Sequence, residues 1–480
     1  MRLLDSPLVR HAQEEASTIR LDDLLAAVGG RLIGSGEPAV SIDGASVDSR
    51  HVTPGSIFVA LAGERTDGHA FVADALRAGA VAALVERPVE LPEGIDAPQV
   101  VVPDTLRALQ DLAAWWRARH AARVVGITGS TGKTIAKEVV ADVLSLGLVT
   151  LRNEGNLNSE TGLPMTLLRL RPEHEAAVLE MSMYTVGEIA RLAEIAQPEV
   201  GVVLAVHPTH LERAGSIDRI AEAKSELPRA LPPDGLAVLN ADDPRVAAMR
   251  SLTRAAVTTF GLGPEADVRA SEIVSRGLEG TEFTLEAPWA TRRLRSATPG
   301  RHLVPHALAA AAVAECLGVG IDEVERALAA GSHAAHRMAV GESRSGATLV
   351  DDTYNASPVS VAAALEFLAE TSLPAGGRRI AVLGDMLELG PDEERLHREI
   401  GVRAGEASDA VVTVGERGRW IAEGARRGGA AFVAETDDPA DAVALVEREL
   451  VPGPSDIVLL KASRGIGLDH AVELLAEEAP

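Results

Sequence analysis

The chain is predicted to be an α/β protein of three domains built on largely parallel sheets. Short apolar runs alternate with helix-periodic segments along most of its length, the rhythm of strands joined by helical crossovers. The stretch TGSTGKT, Thr128 to Thr134, lies between such a run and a helical pattern, where a phosphate-binding loop sits in a parallel sheet. At ~150 residues per domain, 480 residues ask for about three domains, and 46% hydrophobic residues gives each a core.

The runs Ile57 to Leu61 and Val81 to Val85 belong to a first unit, 18–104, with its own turn cluster. A central unit, 105–333, opens on the helix-like Leu106 to His120 and holds the runs Val124 to Thr128, Ala177 to Glu180, Val200 to Ala205 and Leu236 to Asn240. Residues 280–300 mix polar and β-favouring types and read as antiparallel strands beside the main sheet, and Ala307 to Ala314 as an Ala-rich helix. A third unit, 334–480, carries the runs Ile380 to Leu383 and Ile457 to Lys461 and ends in a helix around Ala471 to Glu478. No tandem repeat of ~20 to 50 residues interrupts this order.

Composition narrows the function. Met1 to Glu15 carries five charges without a long apolar stretch, and no later segment approaches ~18 uncharged apolar residues, so neither export nor membrane insertion is expected. The single cysteine, Cys316, excludes an internal disulfide, reads as a buried thiol among alanines and leucine, and fits a reducing cytoplasm. A net charge of −24 argues against nucleic acid as a partner. Any anionic substrate must therefore meet local basic groups.

TGSTGKT supplies them. Gly129 and Gly132 let the backbone N–H groups of the loop, Thr128, Gly129, Ser130, Thr131 and Gly132, turn onto phosphate oxygens. Lys133 adds a cation, and the Thr134 hydroxyl can ligate Mg²⁺, so the expected ligand is a nucleoside triphosphate. The loop departs from G-x-x-x-x-G-K-[ST], with Ile127 at the glycine position and Gly126 one residue earlier. Glu180, ending the run AVLE, is either a Mg²⁺ ligand or a solvated strand-end acid. His210, in HPTHLE, follows another strand end and is either a site residue or a structural hydrogen-bonder. Lys224, on a helical pattern, reads by default as a solvated lysine.

In order, the segments TGSTGKT, GNLNSETGLPMTLL (Gly155 to Leu168), LEM (Leu179 to Met181), THLERAGS (Thr209 to Ser216), AEAKSEL (Ala221 to Leu227) and LNADDP (Leu239 to Pro244) closely resemble the Mur ligases, ATP-dependent amide-bond ligases of peptidoglycan precursor synthesis. The resemblance runs from about residue 18 to 475. It implies a central P-loop ATPase-type sheet, an N-terminal UDP-sugar-binding α/β domain and a C-terminal Rossmann-like α/β domain. It also implies chemistry: a substrate carboxylate attacks the γ-phosphate of ATP, and an amine displaces phosphate from the acyl phosphate. By the same resemblance Lys133 binds phosphates, Thr134 and Glu180 hold one Mg²⁺, His210 helps a second, and Lys224 matches a lysine carbamylated in many members. Asn156 and Asn158 fall among substrate-binding positions.

VDSRHVTPGSIFVALAGERTDGHAFV, Val47 to Val72, resembles the UDP-sugar domain of the tripeptide- and pentapeptide-forming branches, with Ser49 and Arg50 at the uridine-diphosphate end. DDTYNASP (Asp351 to Pro358), VLGDMLELG (Val382 to Gly390) and KASRG (Lys461 to Gly465) resemble the branch adding D-alanyl-D-alanine, and the DNPR signature of the diaminopimelate- or lysine-adding branch is missing. The implied substrates are UDP-MurNAc-tripeptide, D-Ala-D-Ala and ATP, on a monomer. Arg337 and Asp352 match nucleotide contacts, while Tyr354 and Asn355 match a loop closing over the reaction centre.

Four departures stand out. Ala205-Val206-His207-Pro208 replaces Asn-Val-Gly-Pro, His306 replaces an adenine-reading Asn, EMSM replaces an EMGA-type sequence, and Ser357 replaces Asn. An imidazole cannot reproduce an amide's paired donor and acceptor. Three readings follow: the ordinary D-Ala-D-Ala-adding ligase, which survival of Lys133, Thr134, Glu180, His210 and Lys224 favours; a Mur-like ligase recruited to another pathway; and a non-catalytic UDP-sugar-binding paralogue.

Overall fold

In the computed structural model, described for residues 18–34, 40–63, 66–208, 215–331 and 335–476, each of the three units is organised around its own sheet. All eight apolar runs named above are strands, because each is too short for a helix and is buried on both faces. His210 lies outside the described residues.

The first sheet orders its strands Arg31–Ile33, Gln99–Val101, Ala82–Val85, Ile57–Val59, Ala45–Ser46; only the edge strand Arg31–Ile33 runs antiparallel. The central sheet has nine strands. Thr150–Arg152, Ala176–Glu180, Arg123–Thr128, Val200–Val203, Leu236–Asn240, Ala256–Gly261 and Val268–Ser275 pair in parallel in that spatial order. The hairpin Thr281–Ala287 and Ala290–Ser296 then continues the same sheet antiparallel. The third sheet has six strands, five of them parallel, with Ala339–Glu342 antiparallel at its edge.

Helix Thr105–Arg117 ties the first unit to the second. Asp104 caps it, its carboxylate accepting from the Arg107 N–H at 2.8 Å, a contact typically worth ~1 kcal/mol. Its apolar stripe (Leu109, Leu112, Ala113, Trp116) packs in one core with Leu24 and Ile57 of the first unit and Val124, Leu163 and Leu179 of the second. Leu112→Ala in this junction should cost ~2–5 kcal/mol. Helix Val304–Leu317 lies against helix Lys133–Leu144, and Ala307 to Ala314 are all buried, since alanines let it press onto the sheet. Cys316 corrects an expectation: it is only half-buried, its Sγ 3.8 Å from Arg123 Nη2. Among the described residues no helix is long and apolar enough to cross a membrane.

Candidate active site

Strand Arg123–Thr128 lies between Ala176–Glu180 and Val200–Val203, so its C-terminal end opens into the sheet's central crevice. The loop that follows is held from behind. Ser130 N donates to Ala205 O (2.8 Å), Ser130 Oγ donates to His207 O (3.0 Å), and His207 N donates to Ser130 Oγ (2.9 Å). All three contacts use only backbone of the Ala205–His207 stretch, so losing an Asn and a Gly there leaves the loop's support intact. Gly132, at φ +78°, caps helix Lys133–Leu144, and a Cβ there would lie 2.3 Å from His306 Cε1. Only glycine meets both demands.

Lys133 Nζ donates to Gly129 O at 2.9 Å; burial lowers its pKa, Glu180 raises it and Arg337 lowers it further. Thr134 Oγ1 donates to Glu180 Oε2 (2.8 Å) and accepts from Arg337 Nη2 (3.0 Å) of the third unit. Glu180 is 2% exposed, which removes the solvated-acid reading. Asn158 Nδ2 donates to its Oε1 (2.7 Å), and its backbone N–H donates to Asn153 Oδ1 (2.9 Å). Asn158 thus meets the Thr134–Glu180 pair, whereas Asn156 is exposed on the preceding turn.

Lys224 overturns its default as well. It is 3% exposed on helix Ile217–Ala230, and desolvation, then the charge of Lys133, pushes its pKa well below the usual value. The fold brings it there through two cross-strand glycines. Gly126 and Gly201 are register partners, and a Cβ on either would come within 3.0–3.1 Å of Leu227, so the helix carrying Lys224 sits directly on the sheet. The glycine displaced from the loop pattern therefore serves packing.

The third unit supplies the opposite wall. The Arg337 guanidinium stands 4.1 Å from the Tyr354 ring centroid, and that of Arg464 5.2 Å from it. Asp352 is paired with the buried Lys461, whose Nζ also donates to Asn355 O at 3.0 Å. The Asn355 side chain accepts from Ala356 N at 2.9 Å. Ser357 caps helix Pro358–Glu370 and accepts from Ser360 N, a role Ser and Asn fill equally, so that departure is neutral. His306 Nδ1 and Arg337 Nε are buried without a protein partner. Burial first, then the charges of His302 and Arg337, pushes the His306 pKa down to about 3, and burial brings His302 down to about 4. Both rings are neutral near pH 7. Ser49 and Arg50 stand apart, in the turn Ser49–His51 of the first unit, with Arg50 exposed and forked onto Asp48 (2.9 and 2.6 Å).

Sequence reasoning missed a network behind the loop and a dyad in front of it. Lys137 is fully buried, donating to Asn153 O (2.6 Å) and paired with Glu138, which also pairs with Arg152. His336 holds φ +58° with its Nδ1 2.7 Å from Asp351 Oδ2. The available signal was Lys137, one turn after Lys133 on the same helix face.

The fit to Mg-ATP can be judged from the donors. A glycine-containing loop before a helix N-terminus, an ammonium and two orphaned buried nitrogens suit a triphosphate and a base edge. A hydroxyl beside a buried carboxylate suits Mg²⁺, which keeps waters and phosphate oxygens as its other ligands. Accordingly, no cluster of three His, Cys, Asp or Glu exists among the described residues.

Residues 41–117 match the family described as "Mur ligase family, catalytic domain", 127–314 the "Mur ligase middle domain" and 336–464 the "Mur ligase, glutamate ligase domain". The chain is 37% identical to the UDP-N-acetylmuramoyl-tripeptide--D-alanyl-D-alanine ligase of Escherichia coli (strain K12), covering 96% of this chain and 99% of the relative. With the enzyme of that name from Bacillus subtilis (strain 168) identity is 36%, over 91% and 93%. Among solved structures it is similar to MurF from Acinetobacter baumannii (TM-score 0.84, 33% identity, 96% and 99% covered). MurF ligase from Thermotoga maritima in complex with ADP is also similar (TM-score 0.77, 31% identity, 90% and 96% covered). With three matching domains in order and relatives above 30% identity over more than nine-tenths of its length, the chain belongs to the Mur ligase family, ATP-dependent ligases.

Proposed function

We propose that the chain joins D-alanyl-D-alanine to UDP-MurNAc-tripeptide at the expense of ATP, in peptidoglycan precursor synthesis. The observation that carries this reading is the contact of Arg337 with Thr134, which brings the third unit's Tyr354 loop against a complete phosphate loop. Full-length similarity to relatives bearing that activity in their names supports the substrate choice. ATP dependence and the absence of a long apolar helix among the described residues favour a cytoplasmic enzyme. One chain holds every named group, so a monomer suffices.

The tripeptide's terminal carboxylate attacks the γ-phosphorus, the bond to the β-phosphate oxygen breaks, and ADP leaves. The amine of D-Ala-D-Ala then attacks the acyl carbon, phosphate leaves, and the amine gives up a proton. Lys133 and the loop N–H groups hold the phosphates while two anions approach. Thr134 and Glu180 would hold Mg²⁺, which when bound offsets triphosphate charge. His306 and Arg337 offer their orphaned nitrogens to the nucleotide, with Asp352 near its ribose or phosphates. Ser49 and Arg50 serve the uridine diphosphate, Asn156 and Asn158 the acceptor, and Tyr354 and Asn355 exclude water from the acyl phosphate.

Lys224, buried beside Lys133 with its basicity lowered, is suited to carbamylation: its free amine adds to CO₂ and a proton is lost. That turns a free amine into an anion able to support a second metal with His210. Lys224→Ala should be inactive and partly rescued by a short carboxylic acid, and full activity without rescue would remove the carbamate. The primary test is phosphate release with ATP, Mg²⁺, UDP-MurNAc-tripeptide and D-Ala-D-Ala, omitting each in turn and weighing the product. Dependence on all four with a pentapeptide product is expected. UDP-sugar binding without turnover would favour the recruited ligase or the binder.

A further inference from the structure

Between the central and C-terminal walls runs a cleft of about 290 Å³, lined by Thr134, Gly155, His336, Tyr354, Arg464 and Asp469 among others. Thr134 marks the phosphate end and Gly155 opens the GNLNSETG segment; the other four named here, His336, Tyr354, Arg464 and Asp469, belong to the third unit. An amine attacking an acyl phosphate formed beside Thr134 has this cleft as its approach. The amine here is a dipeptide, carrying an amino group at one end and a carboxylate at the other. In a chain of net charge −24 that carboxylate needs a designated cation.

The cations near the cleft divide sharply. Lys461 is paired with Asp352, and Arg337 donates to Thr134. Arg464 is exposed, its guanidinium makes no hydrogen bond or ion pair with a described residue, not even with Asp469 in the same cleft, and it stands 5.2 Å from the Tyr354 ring centroid. An exposed arginine on an aromatic face is worth only ~0.5–1 kcal/mol and would ordinarily mean little. Its footing sets this one apart. The preceding Ser463 is buried, its N–H donating to Asp385 O (3.0 Å) and its Oγ accepting from Leu387 N (2.9 Å), while Lys461 is fixed two residues before. A free planar fork on a rigid base is a receptor for a carboxylate, which it can take through two parallel hydrogen bonds.

We infer that Arg464 binds the carboxylate of the incoming D-alanyl-D-alanine, Tyr354 steadying the guanidinium, so that the dipeptide's amino end is left toward Thr134. This deepens the proposed ligation and rests on it. The test compares D-Ala-D-Ala with D-alanyl-D-alanine amide, which keeps the amine and loses the anion, as substrates of the full-length enzyme and of Arg464→Ala. Wild-type kcat/KM should fall about tenfold to a hundredfold for the amide, the size of a hydrogen bond to a charged group. Arg464→Ala should raise KM for D-Ala-D-Ala by a similar factor, use the amide as well as the acid, and keep the wild-type KM for ATP. Retention of the wild-type KM and of the preference for the acid in Arg464→Ala would overturn the assignment while leaving the ligase reading intact. A wild-type enzyme that makes no pentapeptide overturns both. If Arg464→Ala melts below wild type, the acid-to-amide ratio of Arg464→Gln decides in its place.

Discussion

On the central side of the site, Lys133 and Lys224 have no carboxylate of a described residue bonded to their ammonium groups, whereas on the C-terminal side the 2%-exposed Lys461 is bonded to Asp352 and the Asn355 carbonyl. The same residue type is buried in both places with opposite bookkeeping of charge. A buried cation with its counterion in place is part of the architecture, and removing one partner exposes the other's desolvation cost. A buried amine without a counterion is held against its own preference by surrounding packing, and the compensation comes from a bound anion or from chemistry on the amine. The central wall is thus built to be completed by ligands, and the C-terminal wall is already complete except at Arg464 and the Arg337 Nε.

The largest expected effect tests the incomplete wall. Lys133→Ala should lower phosphate release by at least about 10²–10³-fold, the scale of removing one charge-stabilising contact from a phosphoryl-transfer site. Ligation at the wild-type rate would sink the phosphate-loop assignment.

Next comes a pair of matched substitutions read by denaturant unfolding of the full chain. Lys461→Met strands Asp352 and should cost about 3–5 kcal/mol, whereas Lys224→Met relieves an uncompensated buried amine and should be neutral or stabilising. Equal losses in both would break the contrast between the walls.

The neutral imidazoles give a smaller, pH-dependent effect. His302 and His306 have folded pKa values of about 4 and about 3, below the ordinary 6.5, so the unfolded chain binds more protons between these limits. Their contribution to stability is complete above about pH 6.5 and is lost as pH falls toward 4 and then 3. Unfolding midpoints at pH 7.5 and 5.0 should therefore differ for wild type and converge for His306→Asn, part of the loss remaining through His302.

The smallest structural effect lies farthest from the cleft. Arg50→Ala removes an exposed pair with Asp48 and should leave the melting temperature unchanged, since such pairs are screened by solvent. A raised KM for the UDP-precursor with unchanged stability is the expected signature of a substrate contact, and an unchanged KM would withdraw Arg50 from the site.

Contiguous residues made much of the molecule legible. TGSTGKT announced a strand, a tight turn and a helix because each glycine answers a local backbone demand, and the apolar runs announced strands because their length and spacing allow little else. The burial of Glu180 and Lys224 was not legible from pattern alone. A strand-end acid and a helical lysine look the same whether solvated or sealed, and sealing depends on Gly126 and Gly201 letting a helix settle onto the sheet. Likewise His306 against Gly132, Arg337 on Thr134 and Arg464 over Tyr354 join residues 174, 203 and 110 positions apart, and no local signal ranks such pairs. Sequence by itself determined the α/β class, the phosphate loop and the order of motifs, all set by short-range sterics and hydrophobic spacing. Tertiary structure alone decided which cations are compensated and which await a ligand, because desolvation is a property of the assembled core.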